Sequence, residues 1–128
     1  MAVFGAACSG GRSKSAEGTP DCSPPVAVTQ IPTEIASLGL ERWGIVTKAE
    51  SRAGFLGAEA VSEQEVVEIY PDAVRRLSGP YTFLGGENEG FEAELSFADS
   101  KGRVASFTLT EVECDRVMIQ VLFEKGGA

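Results

Sequence analysis

The 128-residue chain contains no histidine. That absence removes the Ser-His-Asp and Cys-His nucleophile systems and every zinc site with an imidazole ligand. Three cysteines are present, none spaced as Cys-x-x-Cys, so a four-cysteine zinc site is excluded as well. Neither GxGxxG nor GxxxxGK[ST] occurs, and the loops that cradle phosphates are therefore missing. No run approaches the ~20 consecutive apolar residues that span a bilayer. Basic residues are scarce: 11 Lys and Arg stand against 19 Asp and Glu, a net charge of −8. Such a surface repels a phosphate backbone, so no nucleic-acid partner is expected, and an anionic lipid surface is repelled for the same reason.

Apolar residues are plentiful, at 43% of the chain, and seven Phe, two Tyr and one Trp supply large side chains for a core. The length suits one domain and a tail. After SPP, the run VAVTQIP is extended in character, and PTEIASLGL suits a short helical turn with Pro32 near its start. RWGIVTKA and GFLGAEAV read as two strands separated by the turn ESRAG. SEQEVVEIYPDAVRRLSG reads as the one substantial helix. Ser62 and Glu65 are spaced as a capping box, and Val66, Ile69, Tyr70, Ala73, Val74 and Leu77 form an apolar stripe at helical spacing. Arg75 and Arg76 fall in the last turn, and Gly79-Pro80 ends it. Pro71 interrupts the stripe without shifting its phase, so the expectation is one kinked helix or two short helices meeting there.

Beyond the helix the period changes to two. YTFLG suits a short strand. Phe91, Ala93, Leu95 and Phe97 alternate with Glu92, Glu94 and Ser96; Ala105, Phe107 and Leu109 alternate with Val104, Ser106, Thr108 and Thr110; Val117, Ile119, Val121 and Phe123 alternate with Met118, Gln120 and Leu122. The connections GGENEG, ADSKG and ECD are short enough for hairpins. The fold expected is two-layer α+β, with one helix on a mostly antiparallel sheet of four to six strands that ends in a β-meander.

GGENEGFEAE is the most unusual local sequence. Three glycines and the chain's only Asn suit positive φ angles in a hairpin loop. Glu87, Glu89, Glu92 and Glu94 gather there with no Lys or Arg between them. An EF-hand alignment through Gly90 puts Gly85 and Ser96 where carboxylates are required, so that calcium pattern fails. Glu92 and Glu94 would lie about 7 Å apart on one strand face, but nothing suggests the desolvation that makes a carboxyl a general acid. The four glutamates read as turn chemistry and solvated charge, or as a recognition surface for a basic protein partner. Trp43 and Tyr81 read as packing residues.

The first residues pose a different question. Ala2–Ala7 (AVFGAA) are small and apolar, Cys8 follows, and SGGRSKSAEGTPD is too polar and glycine-rich to offset its chain entropy. This arrangement resembles the end of a bacterial lipoprotein signal peptide. The resemblance implies that Cys8 becomes the lipidated N-terminus, with Ala6 and Ala7 as the small residues before it. It divides the chain into a signal-peptide remnant (1–7), a disordered tether (8–24) and a single α+β domain (25–125). If Cys8 takes the lipid, Cys22 and Cys114 remain as a candidate disulfide, and both ideas need an oxidising extracytoplasmic compartment. The alternative leaves two unrelated thiols. The expectation is an envelope-anchored, non-catalytic binding or structural module without cofactor or metal, touching the membrane through its lipid alone. The alternatives are a cytosolic interaction or accessory protein and, less favoured, a small carboxylate-dependent hydrolase.

Overall fold

A computed structural model of the chain describes residues 22–125. Within them run α1 (Thr33–Ala36), β1 (Gly44–Arg52), β2 (Phe55–Ser62), α2 (Val66–Leu77), β3 (Thr82–Asn88), β4 (Glu92–Ala98), β5 (Val104–Val112) and β6 (Arg116–Glu124), with a 3₁₀ turn over Leu40–Arg42 between α1 and β1. The strands form one antiparallel sheet in the order β1-β2-β6-β5-β4-β3. The β1–β2 hairpin and the β3–β6 meander join through the β2–β6 ladder. The connection from β2 to β3 must therefore travel from one side of the sheet to the far edge, and α2 makes that crossing over one face.

Alternation decides which face is covered. Ala93, Leu95 and Phe97 of β4, Ala105, Phe107 and Leu109 of β5, and Val117, Ile119, Val121 and Phe123 of β6 are all buried. Val66, Ile69, Ala73 and Leu77 of α2 close over them, with Tyr70 and Val74 half-buried at the margin. Phe83, Phe97 and Phe107 pack in series across β3, β4 and β5, their ring centroids 5.3 and 5.8 Å apart. This is the two-layer α+β arrangement that the periodicities predict.

Two local expectations are corrected, and the alternatives at Pro71 are narrowed to a single helix. The capping box is Glu65 with Glu68, not Ser62 with Glu65: Glu68 Oε1 accepts the Glu65 N–H at 3.0 Å. Ser62 is unavailable as a cap because it is the fully buried last residue of β2, opposite Gly44 and Val117; its Oγ instead accepts the Gln64 N–H and turns the chain toward the helix. α2 stays a single element through Pro71, which lies on its exposed side. Phe91 does not join the buried face. It sits in the β3–β4 turn, 58% exposed, its carbonyl accepting the Glu111 N–H at 3.0 Å.

The segment before α1 has no regular structure, yet it is held at both ends. Cys22 is bonded to Cys114 in the β5–β6 turn, with Cα atoms 5.7 Å apart, and Arg116 donates to the Cys22 carbonyl at 3.0 Å. Further along, the Val28 N–H donates to the Val46 carbonyl of β1 at 2.9 Å. The segment thus straps the covered layer from the β5–β6 turn to β1, with Val28 and Ile31 packed against the core.

Candidate recognition surface

The face of the sheet opposite α2 has no covering layer among the described residues. The strand registers place its side chains in rows across the sheet. One row runs Lys48, Glu59, Gln120, Thr108, Glu94, Glu87, from β1 to β3. The next holds Ile45, Val61, Met118, Thr110 and Glu92. Glu92 and Glu94 therefore share a face with Glu87, as alternation predicts for the first two. Glu89 lies in the β3–β4 turn, where its N–H bonds the Glu92 carbonyl at 2.8 Å and the Asn88 side chain accepts the Gly90 N–H at 3.0 Å. Gly90 has φ 91°, the left-handed conformation that glycine tolerates best.

The two ends of this face differ in charge. At the β1 end, Glu50 lies 3.7 Å from Lys48 and 3.4 Å from Arg52. At the β3–β4 end, Glu87 and Glu94 stand directly opposite each other. Neither they nor Glu89 and Glu92 has an ion-pair partner among the described residues. Like charges directly opposed across strands are unfavourable, so local fold stability does not account for the pair.

Near the β1 end, a depression of about 280 Å³ is lined by residues that include Lys48, Gly57, Glu59, Thr108, Gln120 and Leu122. It falls below the size of typical small-molecule sites and opens onto the flat sheet, so it would leave most of a ligand in water. The depression and the glutamate cluster share no lining residue.

No protein-family model matches this chain, and no curated protein matches it. The reading of the surface therefore rests on its own geometry.

Elsewhere, two charged clusters serve the fold. Asp72 of α2 accepts from the Trp43 indole at 2.8 Å and from Arg76 Nε at 3.0 Å, with Arg75 also paired to it. The Trp43 hydrogen bond and then the two arginines hold its carboxyl below the usual carboxylate range, against the opposing effect of burial. Asp99 organises the β4–β5 turn, accepting the Lys101 and Arg103 N–H groups at 2.9 and 2.8 Å and Arg103 Nε at 2.7 Å. Burial would raise its pKa, but these donors outweigh it and lower the value. Tyr81, half-buried, is raised by burial and by the Asp99 charge. Trp43 is buried, in keeping with its reading as a packing residue.

Cys22 and Cys114, a candidate pair that the sequence left open against two unrelated thiols, are brought together. Cys8 lies outside the described residues. No helix among the described residues is long and apolar enough to cross a membrane. Sequence reasoning missed the opposition of Glu87 to Glu94. The signal lay in the Glu-x-Glu alternation, but pairing it with β3 required the register beyond the bulge between Phe83 and Gly85.

Proposed function

We propose that this chain is a non-catalytic binding module of the bacterial envelope, lipid-anchored at Cys8, that presents the acidic end of its open sheet face to a basic protein partner. The observation that carries the reading is the opposition of Glu87 and Glu94, flanked by Glu92, on a sheet face that among the described residues has neither a neutralising cation beside them nor a covering layer. A cationic partner would relieve that repulsion, and the long-range field of an acidic protein would steer it in. The Cys22–Cys114 bond supports the compartment, since such bonds persist where the surroundings are oxidising.

Two measurements test it. Intact mass of the protein made in a bacterial host with its natural upstream region should match a chain beginning at Cys8 with acyl groups attached, gaining two hydrogens on reduction. An unacylated chain with three free thiols would discard the envelope reading. Titration with a short oligolysine peptide should show salt-sensitive binding that weakens at least tenfold when Glu87 and Glu94 are both changed to Gln. Unchanged affinity would discard the acidic face as the contact.

A further inference from the structure

The two edges of the sheet are built differently. β1 is capped in part by the Val28–Val46 hydrogen bond and carries the cations Lys48 and Arg52, which discourage strand addition. β3 has no such cover among the described residues. Six of its seven residues, Thr82–Asn88, are exposed, Gly85 alone being half-buried, and its only charged side chain is Glu87.

Its free hydrogen-bonding groups can be located. Hydrogen-bonded and non-hydrogen-bonded pairs alternate along an antiparallel ladder. Glu89 donates to the Glu92 carbonyl, so in the same register Glu87 bonds toward Glu94. The backbone groups of Gly86 and Asn88, which lie between, point away from β4 to the open edge. The two sides of that edge differ in chemistry. On the open-face side stand Glu87 and Glu94. On the helix side, Tyr70 of α2 lies over Gly86; Val67, one turn earlier on the helix, is 50% exposed, and Phe83, earlier on β3, is 36% exposed.

We infer that β3 is a docking edge for an extended segment of a partner, one that alternates basic with apolar residues and adds as a seventh strand. The inference rests on the basic-partner reading above and gives it a binding mode. Backbone bonds to Gly86 and Asn88 supply affinity, while alternate side chains of the added strand meet Glu87 and Glu94 on one face and, on the other, the helix side with its exposed apolar side chains Val67 and Phe83. Charge selects the occupant. A second copy of β3 would bring its own Glu87, Glu92 and Glu94 into the same field, whereas a basic segment neutralises them.

The test uses the oxidised full chain and an eight-residue fluorescent peptide alternating lysine with valine. Comparison peptides carry N-methyl groups on every lysine or on every valine, or replace lysine by glutamine. Binding is read by anisotropy. The expected result is at least a tenfold loss on N-methylation in one phase only, a similar loss with glutamine or with Glu87→Gln and Glu94→Gln, and a severalfold loss with Val67→Ser. The amides of Gly86 and Asn88 should gain hydrogen-exchange protection in the complex. Equal affinity for both N-methylated peptides would overturn strand addition and leave the acidic-face reading standing. Glutamine peptides binding as well as lysine peptides would overturn the basic specificity and the acidic-face reading with it. Absence of binding by any peptide would overturn both. A micromolar dimer that the peptide dissociates would identify a second copy as the occupant and overturn the choice of partner.

Discussion

The indole N–H of Trp43 donates to Oδ2 of Asp72 across 2.8 Å, joining the start of β1 to the middle of α2. Trp43 is buried and Asp72 is held by two arginines, so the bond fixes the helix over the β1 side of the layer while Tyr70 fixes its opposite flank over β3. Trp43→Phe keeps most of the packing and removes the donor. Urea unfolding should show a loss of about 1–2 kcal/mol, the range for a hydrogen bond to a charged acceptor that is partly solvated.

The same carboxylate makes stability fall in acid. Asp72 and Asp99 both have folded pKa values below the ordinary 3.8. A depressed folded pKa contributes stability that is complete above the unfolded value and is lost as pH falls through the folded one. The midpoint of urea unfolding should therefore drop as pH is lowered from about 5 toward 2. Asp72→Asn and Asp99→Asn should each flatten that dependence, and an unchanged slope in both would refute the assignment.

The Cys22–Cys114 bond joins residues 92 apart in sequence. The chain-entropy model values such a closure at about 4–5 kcal/mol. Cys22→Ser, Cys114→Ser and the double variant should lose a similar amount, because each removes the same bond. Cys114 also has φ 67°, in a turn where Asp115 has φ 57°. Cys114→Gly should therefore be more stable than Cys114→Ser by about 1 kcal/mol, since glycine adopts that conformation without the Cβ clash.

Replacing one member of the opposed glutamate pair should strengthen the fold. Glu87→Lys turns a cross-strand repulsion into an attraction and should add about 0.5 kcal/mol at low salt, a gain that shrinks as salt rises. If the stability of this variant is unaltered at low ionic strength, the two carboxylates do not repel, and the main support for a basic partner goes with them.

Two glycines on the sheet should respond in opposite ways. A Cβ at Gly86 would overlap the Glu94 carbonyl oxygen and lie 2.8 Å from Tyr70 Oη, whereas at Gly57 the nearest atoms are 3.8 Å or more away. Thermal melts should show Gly86→Ala destabilised by more than about 2 kcal/mol, as for other overpacking changes, and Gly57→Ala nearly neutral.

Much of this architecture was legible because both periodicities are clean. Ala93, Leu95 and Phe97 alternate strictly with Glu92, Glu94 and Ser96, and the buried set is the one alternation selects. The helix stripe from Val66 to Leu77 was equally plain. The failures came where one short pattern served two structures. Ser62-x-x-Glu65 has capping-box spacing, but burial of Ser62 at the end of β2 took precedence over a cap. GGENEG reads as the connection after YTFLG, yet β3 continues through Gly85 and Gly86 to Asn88, and Gly86 leaves room for the Tyr70 hydroxyl. The cysteine pairing was only one of two alternatives, because the 5.7 Å approach of the two Cα atoms is a product of the whole fold. The candidate surface was half visible: the glutamates were evident, their opposition was not.

The strap has a mechanical consequence. A pull applied through the chain ahead of Cys22 reaches a fork at that residue, one branch running along the backbone to Ser23 and the other through sulfur to Cys114. The second branch is the disulfide and ends in a turn between the two interior strands β5 and β6, each flanked by a ladder on both sides. Load is thus delivered to the middle of the sheet, and Val28 and Ile31 are spared the peeling force that a tether attached at the strap alone would exert.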